Sequence, residues 1–331
     1  KIYDAIVAEV PGLRASPFTA HLGAMVTEST DLSDLVAHHL AHQISTKDWD
    51  INLAPFKANE YSSREIRSPP RQHSLTLQMR EKFEGIYSTI KDPLKSPAGI
   101  RSIVTDLLKV VKSDPAVVSF AQPVLLFKGF SALQTFRVAH RLWLQGEPSW
   151  EIKIASYSSP ASILSSENHK HAKASYKSRA PSCLRSWQLA ALVLQARASE
   201  LWGVDIHPAA TIGDGVMLDH ATGIVVGATA VLKGDNYVLH NVTLGSSQST
   251  ACDPRLKRHP TIGFGVTVGA GATILGDIEV GDGAVVGASA VVTKSVPAGS
   301  TVVGVNRVLL PSKQGESSPS PEPRINREGS H

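Results

Sequence analysis

The sequence predicts an α+β protein, with an α-helical N-terminal domain over residues 1–203 and a parallel β-helix over 204–310. Three observations carry this reading. From Ile206 to Gly304 an aliphatic residue recurs every sixth position. Upstream, several segments repeat apolar residues at helical spacing. Around these segments the composition turns polar near 48–75 and 147–182, and again over 311–331, which reads as a disordered tail.

The six-residue rhythm runs through Ile206, Ile212, Leu218, Ile224, Ala230, Asn236 and Val242. It resumes with Ile262, Val268, Ile274, Val280, Val286 and Val292. Neither a 3.6-residue helix nor a plain alternating strand has this period. A parallel β-helix does, because each hexad makes one short strand and one turn. Gly213, Gly263, Gly269, Gly281 and Gly287 each follow an inward residue directly and let the chain bend. Stacked coils then lie roughly 4.8 Å apart, so the inward side chains form apolar ladders. Residues 245–259 break the rhythm: Val242 and Ile262 are twenty residues apart, two more than three hexads. That excess reads as a loop thrown out of the coil, a common place for function.

In chain order, residues 1–47 read as helical, with Pro11 and Pro17 breaking the first part. The run "DLSDLVAHHLAHQIS" then sets Leu32, Leu35, Val36, His39 and Leu40 on one stripe. His38, His39 and His42 read as ordinary helix residues rather than a metal site, since no Cys or carboxylate follows at a supporting spacing. Helical patterns return in "LTLQMREKFEGIYSTI" and in "GIRSIVTDLLKVVKSDPAVV", which Pro115 ends after Asp114. A further amphipathic helix, "LFKGFSALQTFRVAHRLWLQG", closes with Gly146 as a C-terminal cap. The helix "SWQLAALVLQARASELWG" leads into the hexads.

Length and composition set the outer limits. At 331 residues, 42% hydrophobic and 19% charged, the chain suits a globular protein of two domains. No apolar run is long enough for a membrane span, and a net charge of +4 gives no strong footprint for nucleic acid. Cys183 and Cys252 alone make no disulfide framework and predict a reducing, cytoplasmic compartment. The sequence starts at Lys1 rather than Met, so a plastid or mitochondrial leader ahead of it is equally compatible.

Polar residues on the aliphatic coils mark the candidate chemistry. "DIHPAATIGDGVMLDHATG" contributes Asp205, His207, Asp219 and His220, and "KRHP" contributes Arg258 and His259. A neutral imidazole is a good proton acceptor near pH 7, and a carboxylate on its other nitrogen would orient it. His220 has two candidate partners. Asp219 is adjacent, so on a strand the two side chains face opposite ways. Asp205 is fifteen residues back, three short of an eighteen-residue coil, so spacing leaves the pairing open. His207 and His240 read as structural or solvated. Cys252 is a rival nucleophile seven residues before His259, and reads as a bystander.

Taken together, "DIHP", "LDHATG", "VTLG" and "RHP", with upstream "SDPA" and "HLAHQIS", resemble the serine O-acetyltransferase family. The resemblance spans most of the chain outside the polar inserts and the tail. It implies a left-handed β-helix and a trimer or dimer of trimers with active sites between subunits. It implies acetyl-CoA as co-substrate, L-serine as acceptor, a place in cysteine biosynthesis, and no metal. His220 would be the general base and Asp205 its orienting partner, with direct transfer and no acetyl-enzyme. Asp114 and Asp219 would receive the serine ammonium, and Arg258 its carboxylate, with His259 in the same pocket. Gly269, Ala270 and Ala288 would flank the pantetheine arm. The family often ends in an Ile that docks into O-acetylserine sulfhydrylase, whereas this chain ends in His331. The loop after "VTLG" is also longer than the family's, with Ser246 where a second Gly is usual.

Other classes remain in view. Another hydroxyl or amine acceptor on the same scaffold is one, although two carboxylates and an Arg suit a zwitterionic amino acid better. A hexad carbonic anhydrase would use a close His pair on one coil, while His207, His220, His240 and His259 are 13, 20 and 19 residues apart. A non-catalytic scaffold subunit is the third.

Overall fold

The computed structural model describes residues 1–14, 20–45, 72–145, 186–247 and 256–310. The expected tail, most of both polar inserts, Gly146, Cys183 and Cys252 lie outside the described residues. The first helices are α1 (Ile2–Ala8), α2 (Val10–Arg14), α3 (Ala20–Glu28) and α4 (Leu32–Ser45). They are followed by α5 (Gln72–Lys95), α6 (Pro97–Ser113), α7 (Ala121–Leu126), α8 (Lys128–Leu144) and α9 (Ser186–Trp202). Pro11 does not break a helix: the break falls at Glu9, and Pro11 sits in the first turn of α2. There its missing N–H has no helical partner to lose. α6 ends at Asp114 before Pro115, as its sequence suggests. The Ser96 side chain accepts from the Gly99 amide at 3.0 Å, Pro97 opens the helix, and Asp114 ends it in an extended conformation. Leu35, Val36, His39 and Leu40 of α4 are buried.

Fifteen short strands follow among the described residues, β1 (Val204–Ile206) to β15 (Arg307–Leu309). Those used below are β2 (Thr211–Ile212), β3 (Met217–Leu218), β4 (Ile224–Val226), β5 (Val231–Gly234), β6 (Tyr237–Val238), β7 (Thr243–Gly245) and β8 (Thr261–Phe264). Next come β9 (Thr267–Val268), β10 (Thr273–Leu275), β11 (Glu279–Val280), β12 (Val285–Val286), β13 (Val291–Val292) and β14 (Thr301–Val303). They stack into three sheets, β1-β4-β7-β10-β13, β2-β5-β8-β11 and β3-β6-β9-β12-β14-β15. Every third strand shares a sheet, which is a three-faced coil. Pairing is parallel throughout except for β14 with β15. All thirteen hexad positions named from the sequence are buried.

The register corrects the expected frame. Val204 pairs with Ile224 and Met217 with Tyr237, so the first coil holds twenty residues rather than eighteen. The inward ladder therefore runs Ile206, Ile212, Leu218 and then Val226, Leu232, Val238 and Leu244. Ile224, Ala230, Asn236 and Val242 lie two residues earlier, on the same inward side of each strand. The two extra residues belong to the turn between β3 and β4, which carries His220. The 245–259 segment keeps phase, since Leu244 pairs with Ile274 thirty residues on. Asn236, polar yet fully buried, donates to the Gly263 carbonyl at 2.7 Å and accepts from the Gly234 amide at 3.2 Å.

A buried ion pair fastens the helices to the prism. Asp106 of α6 accepts from Arg137 Nε and Nη2 of α8 at 2.6 and 2.7 Å, from Gln134 at 2.9 Å, and from the Gly215 and Val216 amides at 2.9 and 3.1 Å. Arg137 also donates to the carbonyls of Ile212 and Gly213. Nearby, His140 Nδ1 donates to the Pro208 carbonyl at 2.7 Å, and burial pulls its pKa down to about 4. The carboxylate and the guanidinium are both hydrogen-bonded, as burial of charge demands, while Gln134 Oε1 has no partner among the described residues.

Candidate active site

The turn between β3 and β4 is strained. His220 and Ala221 both have φ of +55°, in the left-handed region that L side chains adopt infrequently. This geometry places the His220 ring in the open, with its side chain 73% exposed. It also overturns the expectation that neighbours on a strand diverge. Asp219 and His220 stand past the end of β3, and His220 Nε2 comes to 3.6 Å from Asp219 Oδ2. The His240 ring stands edge-on to His220, 5.9 Å between centroids. Tyr237, one coil above, donates its hydroxyl to the same Asp219 Oδ2 at 2.7 Å. Burial first, then the Asp219 hydrogen bond and the charges of Asp219 and Asp114, raise the Tyr237 pKa far above that of a free phenol. Asp114 caps α6, accepts from the Ala116 amide at 2.8 Å, and is part of this acidic neighbourhood.

A second group gathers around β1. Asp205 Oδ1 accepts from Gln195 Nε2 of α9 at 2.6 Å. His207 is half-buried, with its ring edge-on to Trp143 and its Nδ1 accepting from the Ala209 amide. Burial lowers its pKa, Asp205 opposes that shift and Arg258 reinforces it, which sets these three side chains in one field. His259, only 7% exposed, is held by Thr229. The Thr229 hydroxyl accepts from the amides of Arg258 and His259, and both it and the Thr229 amide reach His259 Nδ1, at 2.8 and 3.2 Å. A backbone amide only donates, so neutral His259 carries its proton on Nε2. Burial, and then the charges of Arg258, Lys257 and His207, bring its pKa down to about 4.

Thus one chain brings together Asp114, Asp219 and His220, and separately Asp205, Arg258 and His259. Among the described residues no hydrogen bond joins Asp205 to His220. A Cβ on Gly269 would lie 2.5 Å from the Ala288 amide, so coil-to-coil contact itself requires glycine there. Ala288 is exposed and Ala270 partly so. Tyr237, Gln195 and Thr229 were not singled out from sequence. Their partners are 18, 10 and 30 residues away, and no local pattern announces such contacts.

Comparison with known proteins decides the family. Residues 71–135 match the N-terminal domain model of serine acetyltransferase, and 259–294 match the bacterial transferase hexapeptide repeat. The chain is 39% identical over 276 residues to the chloroplastic serine acetyltransferase 1 of Arabidopsis thaliana, covering 80% of this chain and 73% of the relative. The chain belongs to the serine acetyltransferase family. The fold is accordingly the left-handed β-helix preceded by a helical domain. Soybean serine acetyltransferase complexed with serine is 31% identical with a TM-score of 0.65, covering 93% of this chain and 97% of that one. The enzyme of Brucella abortus in complex with coenzyme A is 30% identical with a TM-score of 0.66, covering 93% and 94%. Among the described residues no group of three metal-ligating side chains occurs, and no helix is long and apolar enough to cross a membrane.

Proposed function

We propose that the chain carries out its family's reaction, moving the acetyl group of acetyl-CoA onto the hydroxyl of L-serine, with His220 as general base. The exposed imidazole on a strained turn, beside an acidic neighbourhood, is the observation that carries the assignment. His220 takes the hydroxyl proton as the serine oxygen attacks the thioester carbonyl. The carbon–sulfur bond then breaks, and the imidazolium returns the proton to the departing thiolate. No covalent enzyme intermediate is needed, because the thioester is already activated.

Asp114 and Asp219 receive the ammonium, and Arg258 the carboxylate, beside the Nε2–H of His259. Within one chain Arg258 shares its field with His207 and His259, and Asp219 is the carboxylate beside His220. In the trimer that the family reading implies, each site takes His220 from one subunit and Arg258 from the next. Gly269, Ala270 and Ala288 line the path of the pantetheine arm, where a side chain would intrude. Asp205 is assigned as the orienting carboxylate of His220. Its support is the fixing of one oxygen by Gln195 and its place beside His207 in the field of Arg258, so that it reaches His220 from the subunit that supplies Arg258.

Thiol release from acetyl-CoA in the presence of L-serine tests the proposal. His220→Ala is expected to lower kcat by roughly 10²–10⁴-fold. Equal activity of His220→Ala and the parent would end the assignment. Asp205→Asn lowering kcat more than Asp219→Asn supports Asp205 as the orienting partner, and the reverse order transfers that role to Asp219.

A further inference from the structure

Asp219 is shared by two side chains, and the sharing is unequal. Tyr237 Oη lies 2.7 Å from Oδ2, a full hydrogen bond, while His220 Nε2 stands 3.6 Å from the same oxygen, beyond hydrogen-bond reach. Tyr237 is on β6, one coil above Asp219, and β6 pairs on either side with β3 and β9. Its backbone is thereby fixed by the prism rather than by a loop. The phenol holds its proton firmly, since burial and the two nearby carboxylates, Asp219 and Asp114, all oppose its ionisation. It acts on Asp219 only as a donor. Oδ1 makes no hydrogen bond among the described residues.

We infer that Tyr237 is a positioning residue for the acceptor amino acid. By occupying Oδ2 it holds the Asp219 carboxylate in one orientation, presents Oδ1 to the incoming ammonium, and keeps Asp219 from closing on the His220 imidazole. A carboxylate free to rotate would spend part of its time ion-paired with His220⁺ or turned from the acceptor. Each bound serine would then have to set that geometry itself, at a cost in affinity. Its hydroxyl is spent on Asp219 Oδ2, so its effect reaches the reaction through Asp219. This rests on the assignment of Asp219 to the ammonium subsite.

The test is steady-state thiol release by Tyr237→Phe, Asp219→Asn, the double variant and His220→Ala, each as the full chain. Tyr237→Phe keeps the ring and removes only the hydroxyl. The expected result is a rise of about tenfold in the KM for L-serine, with kcat within about twofold and the KM for acetyl-CoA unchanged. In the Asp219→Asn background the same change is expected to have no further effect on the serine KM. A purely structural tyrosine would instead lower the melting temperature and disturb both substrates alike, which would overturn the inference. So would an unchanged serine KM, or equal effects of Tyr237→Phe with and without Asp219. If His220→Ala is fully active, the site reading itself fails. If His220→Ala is inactive while Tyr237→Phe behaves as the parent, only the role of Tyr237 falls.

Discussion

Gly227 is where a single methyl group would separate the fold from the chemistry. The residue ends the β4 turn of the coil, and its φ is one that any residue adopts. The His259 ring lies directly over it: a Cβ would fall 1.9 Å from Nε2 and 2.1 Å from Cδ2. Ordinary contact begins at 3.4 Å, so Gly227→Ala forces the ring to retreat by about 1.5 Å. That displacement breaks the pair of hydrogen bonds from Thr229 to Nδ1 and turns the Nε2–H away from the acceptor. A shift of this size in a substrate-orienting group lowers the rate by about 10²-fold, while overpacking costs about 1–3 kcal/mol of stability. The expected outcome is kcat/KM for L-serine reduced by about 10²-fold in a protein that still folds, measured by thiol release alongside far-ultraviolet circular dichroism. Thr229→Val, which deletes the hydroxyl but adds no bulk at Gly227, is expected to move kcat/KM the same way by a smaller factor. Full activity of Gly227→Ala in a folded protein would refute the reasoning, since the ring cannot keep its place beside an added Cβ.

Three further outcomes follow from the helical domain and the buried imidazoles. Asp106→Asn leaves the buried Arg137 guanidinium without its hydrogen-bonded counter-charge, only Asp214 remaining among the described residues at 3.9 Å, and is expected to cost about 3–5 kcal/mol, read as a fall in Tm on the order of 10 °C. An unchanged Tm would show that the ion pair is not what fastens α6 and α8 to the prism. His39→Leu removes a buried ring whose two nitrogens have no hydrogen-bond partner among the described residues, so Tm is expected to hold or rise by a few degrees, against the fall usual for a core substitution. The pH dependence of stability has a definite sign. His39, His140 and His259 have folded pKa values lowered by burial to about 4 from 6.5, so the unfolded chain binds more protons between those limits. Unfolding free energy is therefore expected to fall as pH drops from 6.5 towards 4, and His39→Leu is expected to flatten that slope in a pH series of thermal melts. A slope that is flat in the parent or unchanged in the variant would contradict this.

Much of the molecule was legible from residue order. A six-residue period leaves one architecture, and all thirteen residues it selected are buried, twelve apolar and Asn236 with its side-chain amide hydrogen-bonded to the backbone. The end of α6 followed from Pro115 after Asp114, whose effect acts within one turn of chain. The short strings around Asp205, His220 and His259 carried the family. What tertiary structure alone decided was the frame and the partners. A strand turns residues i and i−2 to the same side, so Ala230, Asn236 and Val242 mimic the true ladder, and an extra two residues at the His220 turn leave no trace in the pattern. For the same reason Asp219 could not be placed against His220 until the positive φ of that turn was known. Tyr237 on Asp219, Gln195 on Asp205 and Arg137 on Asp106 are contacts between segments 10 to 31 residues apart. Their geometry comes from how coils stack and how helices dock, and no local spacing encodes it.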